Sequence, residues 1–313
     1  MSVTDCGSGP TLHLDEAVPL LHGLVDEVAR ALGIRLLFIK GPVLTAQGLR
    51  DAHQSVDVDV LVDPARASDL RQGLERHGWS VRVPSTTARV LPRHSTAYAH
   101  RLWPCEIDVH DRFPGFLAEP QTTFEALWAH RTSVAVAGRD VLCPQPVAHL
   151  AVAALHLLRE GTSPRTKEQL ARLVELAEAA LDTDQRFDLG VIAARTGSLG
   201  TLRPVLDALG LPTVVTATTE DLTDWQVRTS SRGVRSVGWV MELRRTPLRR
   251  WPETLVRAVL LTEAEIRDAQ PQAAPGSWGL LRARLRRLRL GLRDIPRACR
   301  IVWSAYRRRS SDR

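Results

Sequence analysis

The stretch SVDVDVLVDP, residues 55–64, sets two aspartates one position apart inside a run that otherwise reads as a buried β-strand. A strand turns successive side chains to opposite faces, so Val58, Val60 and Val62 go to one side and Asp57, Asp59 and Leu61 to the other. Two unpaired carboxylates that close repel each other. A site that tolerates them usually supplies a cation, and oxygen-only ligands suit magnesium or manganese. Taken alone, the pair is equally compatible with a strand end that opens into solvent.

Working outward, residues 15–32 have helical periodicity, with Leu20, Leu21, Leu24, Val28, Ala31 and Leu32 on one face and Gly33 as the stop. IRLLFIKG (34–41) is an apolar run of strand length, and Pro42 suits the first turn of the helix expected in PVLTAQGLR (42–50). After the aspartates, Asp63 and Pro64 open a further helix reaching His77. Three strand-like pieces follow: WSVRV (79–83), TAYAHRLW (96–103) and CEIDVHDRF (105–113). This alternation indicates an α/β unit around a mixed sheet. TSVAVAGRDVLCP (132–144) reads as a hairpin turning at Gly138. From Val147 to Leu209 the pattern is helical, and helices without a motif are expected from Leu211 to Pro275. AQPQAAPGS (269–277) has the composition of a linker.

A third carboxylate stands in the last strand-like piece. There Ile107 and Val109 alternate with Glu106, Asp108 and His110, so Asp108 leaves on the polar face. By itself it reads as a surface strand residue. Joined to Asp57 and Asp59 at one sheet edge, it would complete three acids around two metal ions, which is what nucleotide-dependent transfer needs. Lys40 and Gly41 fall where a strand ends and a helix begins: glycine lets backbone amides approach phosphate oxygens, and the lysine supplies a point charge to a β- or γ-phosphate. The arrangement requires Lys40 to face the acids across a triphosphate-sized gap.

In this order, FIKG (Lys40, Gly41), DVDVLV (Asp57, Asp59) and EIDVH (Asp108, His110) resemble the motifs of the uncharacterised nucleotidyltransferases of the DNA polymerase β-like superfamily. His149 and His156 are a weaker echo of spaced histidines on a later helix. The resemblance covers about residues 15–180 and implies an α+β fold: a minimal nucleotidyltransferase core of mixed sheet and flanking helices, then a mainly helical domain and a basic C-terminal helix. The division expected is 1–143, 144–270 and 271–313. It implies Asp57 and Asp59 as the metal-binding pair, Asp108 as third metal ligand or base, Lys40 and Gly41 in the place of a Gly-Ser pair, and His110 orienting Asp108, contacting phosphate or serving the structure alone. Cofactors implied are Mg2+ or Mn2+, with ATP or another NTP as substrate. Three positions depart from the pattern. His53 stands where an arginine is usual, with Arg50 as a substitute cation near the triphosphate; Asp111 replaces an aromatic; and Gln169 replaces an acid.

The activity this implies is transfer of a nucleoside monophosphate, AMP from ATP foremost, to a hydroxyl or amine of a small-molecule or protein acceptor. The departures motivate a second reading, a catalytically silent relative acting as an antitoxin-like or biosynthetic accessory module. A third is a membrane-associated helical protein whose acids are incidental.

Charge separates the tail from the rest. The chain of 313 residues carries +7, yet its last 36 residues hold twelve arginines against Asp294 and Asp312, which is +10 there and −3 upstream. A general nucleic-acid-binding surface is not implied. Leu281, Leu285, Leu288, Leu292 and Ile295 form one apolar stripe on this arginine-rich segment. The segment can lie on an anionic membrane, clamp an acidic partner or nucleic acid, or pack on its own domain; Pro296 is expected to kink or end it, with YRRRSSDR (306–313) disordered. Cys6, Cys105, Cys143 and Cys299 lack CxxC spacing, which argues against a zinc cage and a disulfide framework. With no basic-apolar leader at MSVTDCGSGP, the expectation is a reduced, cytoplasmic protein, membrane-peripheral if the tail docks. Lysine occurs only at Lys40 and Lys167 against 40 arginines.

Overall fold

The computed structural model describes residues 12–82, 94–161, 163–211, 219–259 without 232 and 235, and 276–311, with 262, 263, 266 and 272 as isolated positions. The N-terminal stretch with Cys6, all of 269–275 except 272, and residues 312–313 lie outside these. Helix α1 (Leu14–Ala31) leads into β1 (Leu36–Ile39), the six-residue α2 (Gly41–Ala46) and β2 (Asp57–Val62). A 3-10 turn (Pro64–Arg66), capped by Asp63 through the Ala65 N–H, opens α3 (Ala67–Arg76). Strands β3 (Ser80–Val81), β4 (Ser95–Ala99) and β5 (Glu106–His110) complete a five-stranded sheet of order β1-β2-β5-β4-β3. Its β2–β5 pair is parallel and the other pairs are antiparallel, so the sheet is mixed as expected.

Helix α4 (Pro120–Ala129) precedes the hairpin β6 (Arg131–Val136) and β7 (Arg139–Pro144), which lies against β1. Helices α5 (Pro146–Arg159), α6 (Pro164–Ala180), α7 (Thr183–Arg195) and α8 (Leu199–Ala208) follow, then α9 (Glu220–Ser230), α10 (Val237–Arg245), α11 (Trp251–Val259) and α12 (Gly276–Ser311). The fold is therefore a mixed-sheet α+β core followed by helices.

Two hydrophobic cores separate the faces of the sheet. Phe38, Val58, Val60, Val62, Ile107 and Val109 join α1 and α3 on one side. Leu37, Ile39 and Leu61 join α4 to α8 on the other. The period-2 alternation in β2 and β5 accounts for this division and sends Asp57, Asp59, Asp108 and His110 to the second side. That side carries α5, whose all-round burial from Val147 to Leu155 explains its lack of a polar face.

Two sequence expectations are corrected here. α1 buries Ala17, Val18, Leu21, Val25, Val28 and Ala29, while Leu20 is half exposed: the small residues in its first turns, silent in a leucine count, rotate the buried face. α12 runs through Pro296 to Ser311 without ending, and Tyr306 belongs to it. The far half of α12 is anchored instead of disordered. Ala298 and Val302 are buried with Val227, Val237 and Met241; Tyr306 donates to the Asp224 carboxylate, which also pairs with Arg245, and the Arg244 guanidinium lies 3.5 Å from the Tyr306 ring centroid.

Gly115, in the loop after β5, shows how tightly the helical layer closes. Its φ is +101°, and a Cβ there would stand 2.6 Å from Leu155 Cδ2 on α5 and 3.0 Å from the Trp225 ring on α9. Gly115→Ala is expected to cost about 2–4 kcal/mol, from backbone strain plus overpacking. Chemical denaturation checks it, and in Gly115→Ala/Leu155→Ala the combined loss is expected to fall short of the sum of the two single losses.

Candidate functional site

The parallel register of β2 and β5 sets Asp59 beside Asp108, and Asp57 beside Glu106. Two of the three expected acids thus converge. Asp59, Asp108 and His110 each offer a ligand atom within 4.8 Å of the others, whereas Asp57 lies outside this tight group, one pleat earlier on the same face. It is still within electrostatic reach: burial first, then the charge of Asp59, with smaller contributions from Asp108 and Glu106, raise the Asp57 pKa to about 6 against the opposing pull of Lys40.

Asp59 is only 5% exposed. Burial alone would raise its pKa, but a hydrogen bond from His110 and the charges of Lys40 and His110 outweigh that and hold the carboxyl well below the usual carboxylate range. His110 Nε2 stands 2.9 Å from Asp59 Oδ1 and 3.8 Å from Asp108 Oδ2. Since a carboxylate only accepts, Nε2 carries the proton, and the buried Nδ1 has no hydrogen-bond partner among the described residues. His110 therefore orients Asp59 and not chiefly Asp108.

Lys40 is placed differently from the expectation of an open gap. Its Nζ sits 2.5 Å from Asp59 Oδ1 and 5.8 Å from the Phe113 ring centroid. The side chain is brought there by a strained junction: Lys40 has φ 65° and ψ −161°, a region that side-chain-bearing residues rarely occupy. Gly41 follows with φ 55°, and a Cβ on it would meet Ser55 Oγ at 3.2 Å. Such strain persists only when the surroundings enforce it, and α5 does so. The Lys40 backbone N–H donates to His149 Nε2 at 2.9 Å, and His149 Nδ1 is 2.7 Å from Gln47 Oε1. Gln47 in turn donates to the Pro144 carbonyl at 2.7 Å. Accepting at Nε2 requires a neutral ring protonated at Nδ1, and complete burial pushes the His149 pKa down to about 3. The sequence marked His149 only as one of two spaced histidines; nothing local to residue 149 points to residue 40.

The remaining candidates divide. His53 is exposed, while Arg50 is the half-buried cation whose guanidinium acts on Asp57 and Asp59. Asp111 is engaged by Arg71 at 2.8 Å, and Gln169 is exposed on α6. Two further residues, His94 and Arg159, escaped the sequence reading. His94 lies 5.8 Å from the His110 ring centre and 2.7 Å from Arg159 Nη1. His156, on the same helix as Arg159, has a buried Nδ1 without a hydrogen-bond partner among the described residues and a pKa lowered to about 4, by burial and then by Lys40 and Arg159. The site thus has acids on the sheet and, on α5, the cation Arg159 together with two histidines whose pKa values burial lowers.

The donor set fits a hard divalent cation. Asp59 and Asp108 offer adjacent oxygens, and the Asp57 pKa is raised by burial first and then by the charge of Asp59, a charge that a dication would offset. A mixed sheet bearing acids on adjacent parallel strands beneath a lysine at a strand-to-helix junction defines the class of nucleotidyltransferase-like proteins.

Residues 19–215, well over half of the chain, match the family described as "Uncharacterised nucleotidyltransferase", and the chain belongs to that family. Among curated protein sequences nothing matches. Similar solved structures include the lincosamide antibiotic adenylyltransferase LnuA with lincomycin bound (14% identity, 50% of this chain and 96% of that one, TM-score 0.34). The antibiotic-resistance factor ANT(2'')-Ia is similar at 15% identity, over 63% of this chain and 97% of that one, with TM-score 0.39. An antigenic nucleotidyltransferase-like protein from Paracoccidioides brasiliensis follows at 14% identity, over 62% and 91%, with TM-score 0.37. These superpositions are loose, and the family match is what places the chain.

The buried titrating groups give stability a pH dependence with opposing parts. His149 and His156 have folded pKa values below the unfolded 6.5, so their contribution is intact above that value and is lost as the pH falls beneath it. Asp57 acts oppositely: its raised pKa makes the fold hold its proton up to about pH 6, so acidification from pH 7 favours the fold at this residue. The histidines outnumber it. Acidification from pH 7 to 5 is expected to cost the metal-free protein about 2–3 kcal/mol. Urea midpoints at the two pH values check this, with Asp57→Asn making the loss steeper and His156→Gln making it shallower.

Proposed function

We propose that the protein is a divalent-metal-dependent nucleotidyltransferase, moving a nucleoside monophosphate, AMP from ATP in the first instance, to a hydroxyl or amine of an acceptor. The observation that carries this reading is the in-register pairing of Asp59 with Asp108 beside Lys40. Family membership supports it.

In the reaction, an acceptor oxygen or nitrogen forms a bond to the α-phosphorus, the bond from that phosphorus to the bridging oxygen breaks, and pyrophosphate departs. Asp57, Asp59 and Asp108 would hold magnesium or manganese, which when bound neutralises phosphate charge and lowers the pKa of the attacking group. Asp59 is kept ionised by His110 and Lys40, so it is ready to bind at any pH above the acid range. Asp108, about a third exposed, would take the acceptor's proton. Lys40 exchanges Asp59 for a phosphate oxygen when nucleotide enters. A compact ammonium on a flexible stem can make that exchange. Arg50 and Arg159 add positive charge on either side of the phosphates, in place of the exposed His53.

The test is incubation of the full chain with α-labelled ATP and Mg2+ or Mn2+, following nucleotide-induced thermal shift and label transfer to a panel of hydroxyl- and amine-bearing acceptors and to the protein itself. Metal-dependent binding and transfer are expected, with Asp59→Ala and Asp108→Ala each reducing transfer by ~100-fold or more. Lys40→Arg is expected to lose about tenfold or more, since a guanidinium grips Asp59 in fork geometry. Nucleotide binding that ignores both the metal and the aspartates would overturn the reading and favour a silent binding module.

A further inference from the structure

Helix α12 has three unlike sides. One is spent on the protein: Ala283, Ala298 and Val302 are buried, and Ser236 Oγ donates to the Gly291 carbonyl at 2.7 Å. The apolar stripe seen in the sequence is not that side. Leu281 is 42% exposed, Leu285 56%, Leu292 57% and Trp278 76%. We propose that the side bearing Trp278, Leu281, Leu285, Leu288, Leu292 and Ile295 is a docking surface for an anionic lipid bilayer, with α12 lying in the plane of the headgroups.

The charge pattern selects this occupant. Arg282, Arg286, Arg289 and Arg293 repeat the leucine steps one position later, so by helical spacing they form an exposed rank about 100° around from the stripe. Long arginine stems flanking an apolar strip can lie along the interface and lift their guanidinium groups to phosphate. Asp294 is the only carboxylate between Gly276 and Ser311, and its spacing puts it opposite Leu285. Trp303, 66% exposed, falls on the same line as Leu285, so tryptophans mark both ends of the strip, and such rings favour the headgroup level. No helix of the protein among the described residues is long and apolar enough to cross a membrane, which fits a helix that lies on one. An acidic protein groove would need an apolar channel as long as the stripe, whereas a bilayer meets any straight strip.

The experiment is co-sedimentation of the full chain with phosphatidylcholine vesicles, with and without phosphatidylglycerol, read together with tryptophan fluorescence. Sedimentation with the anionic vesicles only, weakening with salt and shifting the tryptophan emission to the blue, is expected. Leu285→Gln/Leu288→Gln/Leu292→Gln changes exposed side chains and should leave the melting temperature unchanged while weakening partitioning ~30-fold or more. Arg286→Gln/Arg289→Gln/Arg293→Gln should weaken it by about 100-fold. Failure to sediment with anionic vesicles overturns the proposal, as does sedimentation that the leucine variant leaves intact. Tighter retention by RNA or duplex DNA, unaltered in the leucine variant, or conversion of a dimer to a monomer by that variant, likewise overturns it. None of these variants touches Asp57, Asp59 or Asp108, so the outcome is independent of what the site transfers.

Discussion

Parallel pairing of β2 with β5 forces Asp59 and Asp108 side by side, and much of the nearby structure answers the repulsion this creates. Neither acid can turn away, because a shift of one residue in either strand would send Val58, Val60, Ile107 and Val109 out of the core and the acids into it. The hydrophobic face therefore holds the carboxylates together. Their charge is then met locally: Lys40 and His110 share one oxygen of Asp59, Arg50 stands by, and Asp57 holds a proton up to about pH 6. On the proposed function, binding of a cation there would relieve a stress that folding has already imposed.

Helix α5 converts this stress into geometry. Its first turns carry His149, which holds the Lys40 amide from a distance of 109 residues in the chain; its last turns carry His156, within electrostatic reach of Asp59, and Arg159, which meets His94. A helix buried on all sides cannot slide without disturbing the core around Leu150 and Leu155. The strained Lys40 backbone is thereby tied to the packing of the helical layer. The histidine suits this task because burial keeps it neutral, which leaves one ring nitrogen to accept from Lys40 and the other to donate to Gln47.

The sheet was legible because period-2 alternation is a local property: reading Asp57, Asp59 and Asp108 off the polar face required no knowledge of which strands pair. Pairing itself was not legible, and it decides that Asp59 and Asp108 form the tight group with His110 while Asp57 stands one pleat off. The Lys40–Asp59 contact was hidden for the same reason, since sequence order suggested a lysine opposite the acids and not on them. On α12 periodicity found the leucine stripe but did not decide whether a membrane, a partner or the protein's own domain meets it; the side that packs is built from alanine, glycine and valine, whose small volumes permit close approach while contributing little to an amphipathic pattern. α1 repeats the lesson with Ala17 and Ala29.

The chain uses arginine almost wherever it needs a cation, which sharpens the meaning of lysine at position 40. In the proposed reaction, the charged group there satisfies a buried carboxylate when the site is without nucleotide and gives it up when phosphate enters. A guanidinium is poorly suited to this: its planar fork would bind both oxygens of Asp59, and its bulk would press on Phe113 in a space where the Lys40 side chain is only 12% exposed. An ammonium touches one oxygen and can rotate away about a flexible stem. Arginine is the better group on α12 for the proposed bilayer contact, where strong hydration would be a handicap and several phosphates would be held at once. On these two proposals, the two cations divide between the site and the tail according to whether the contact has to be released.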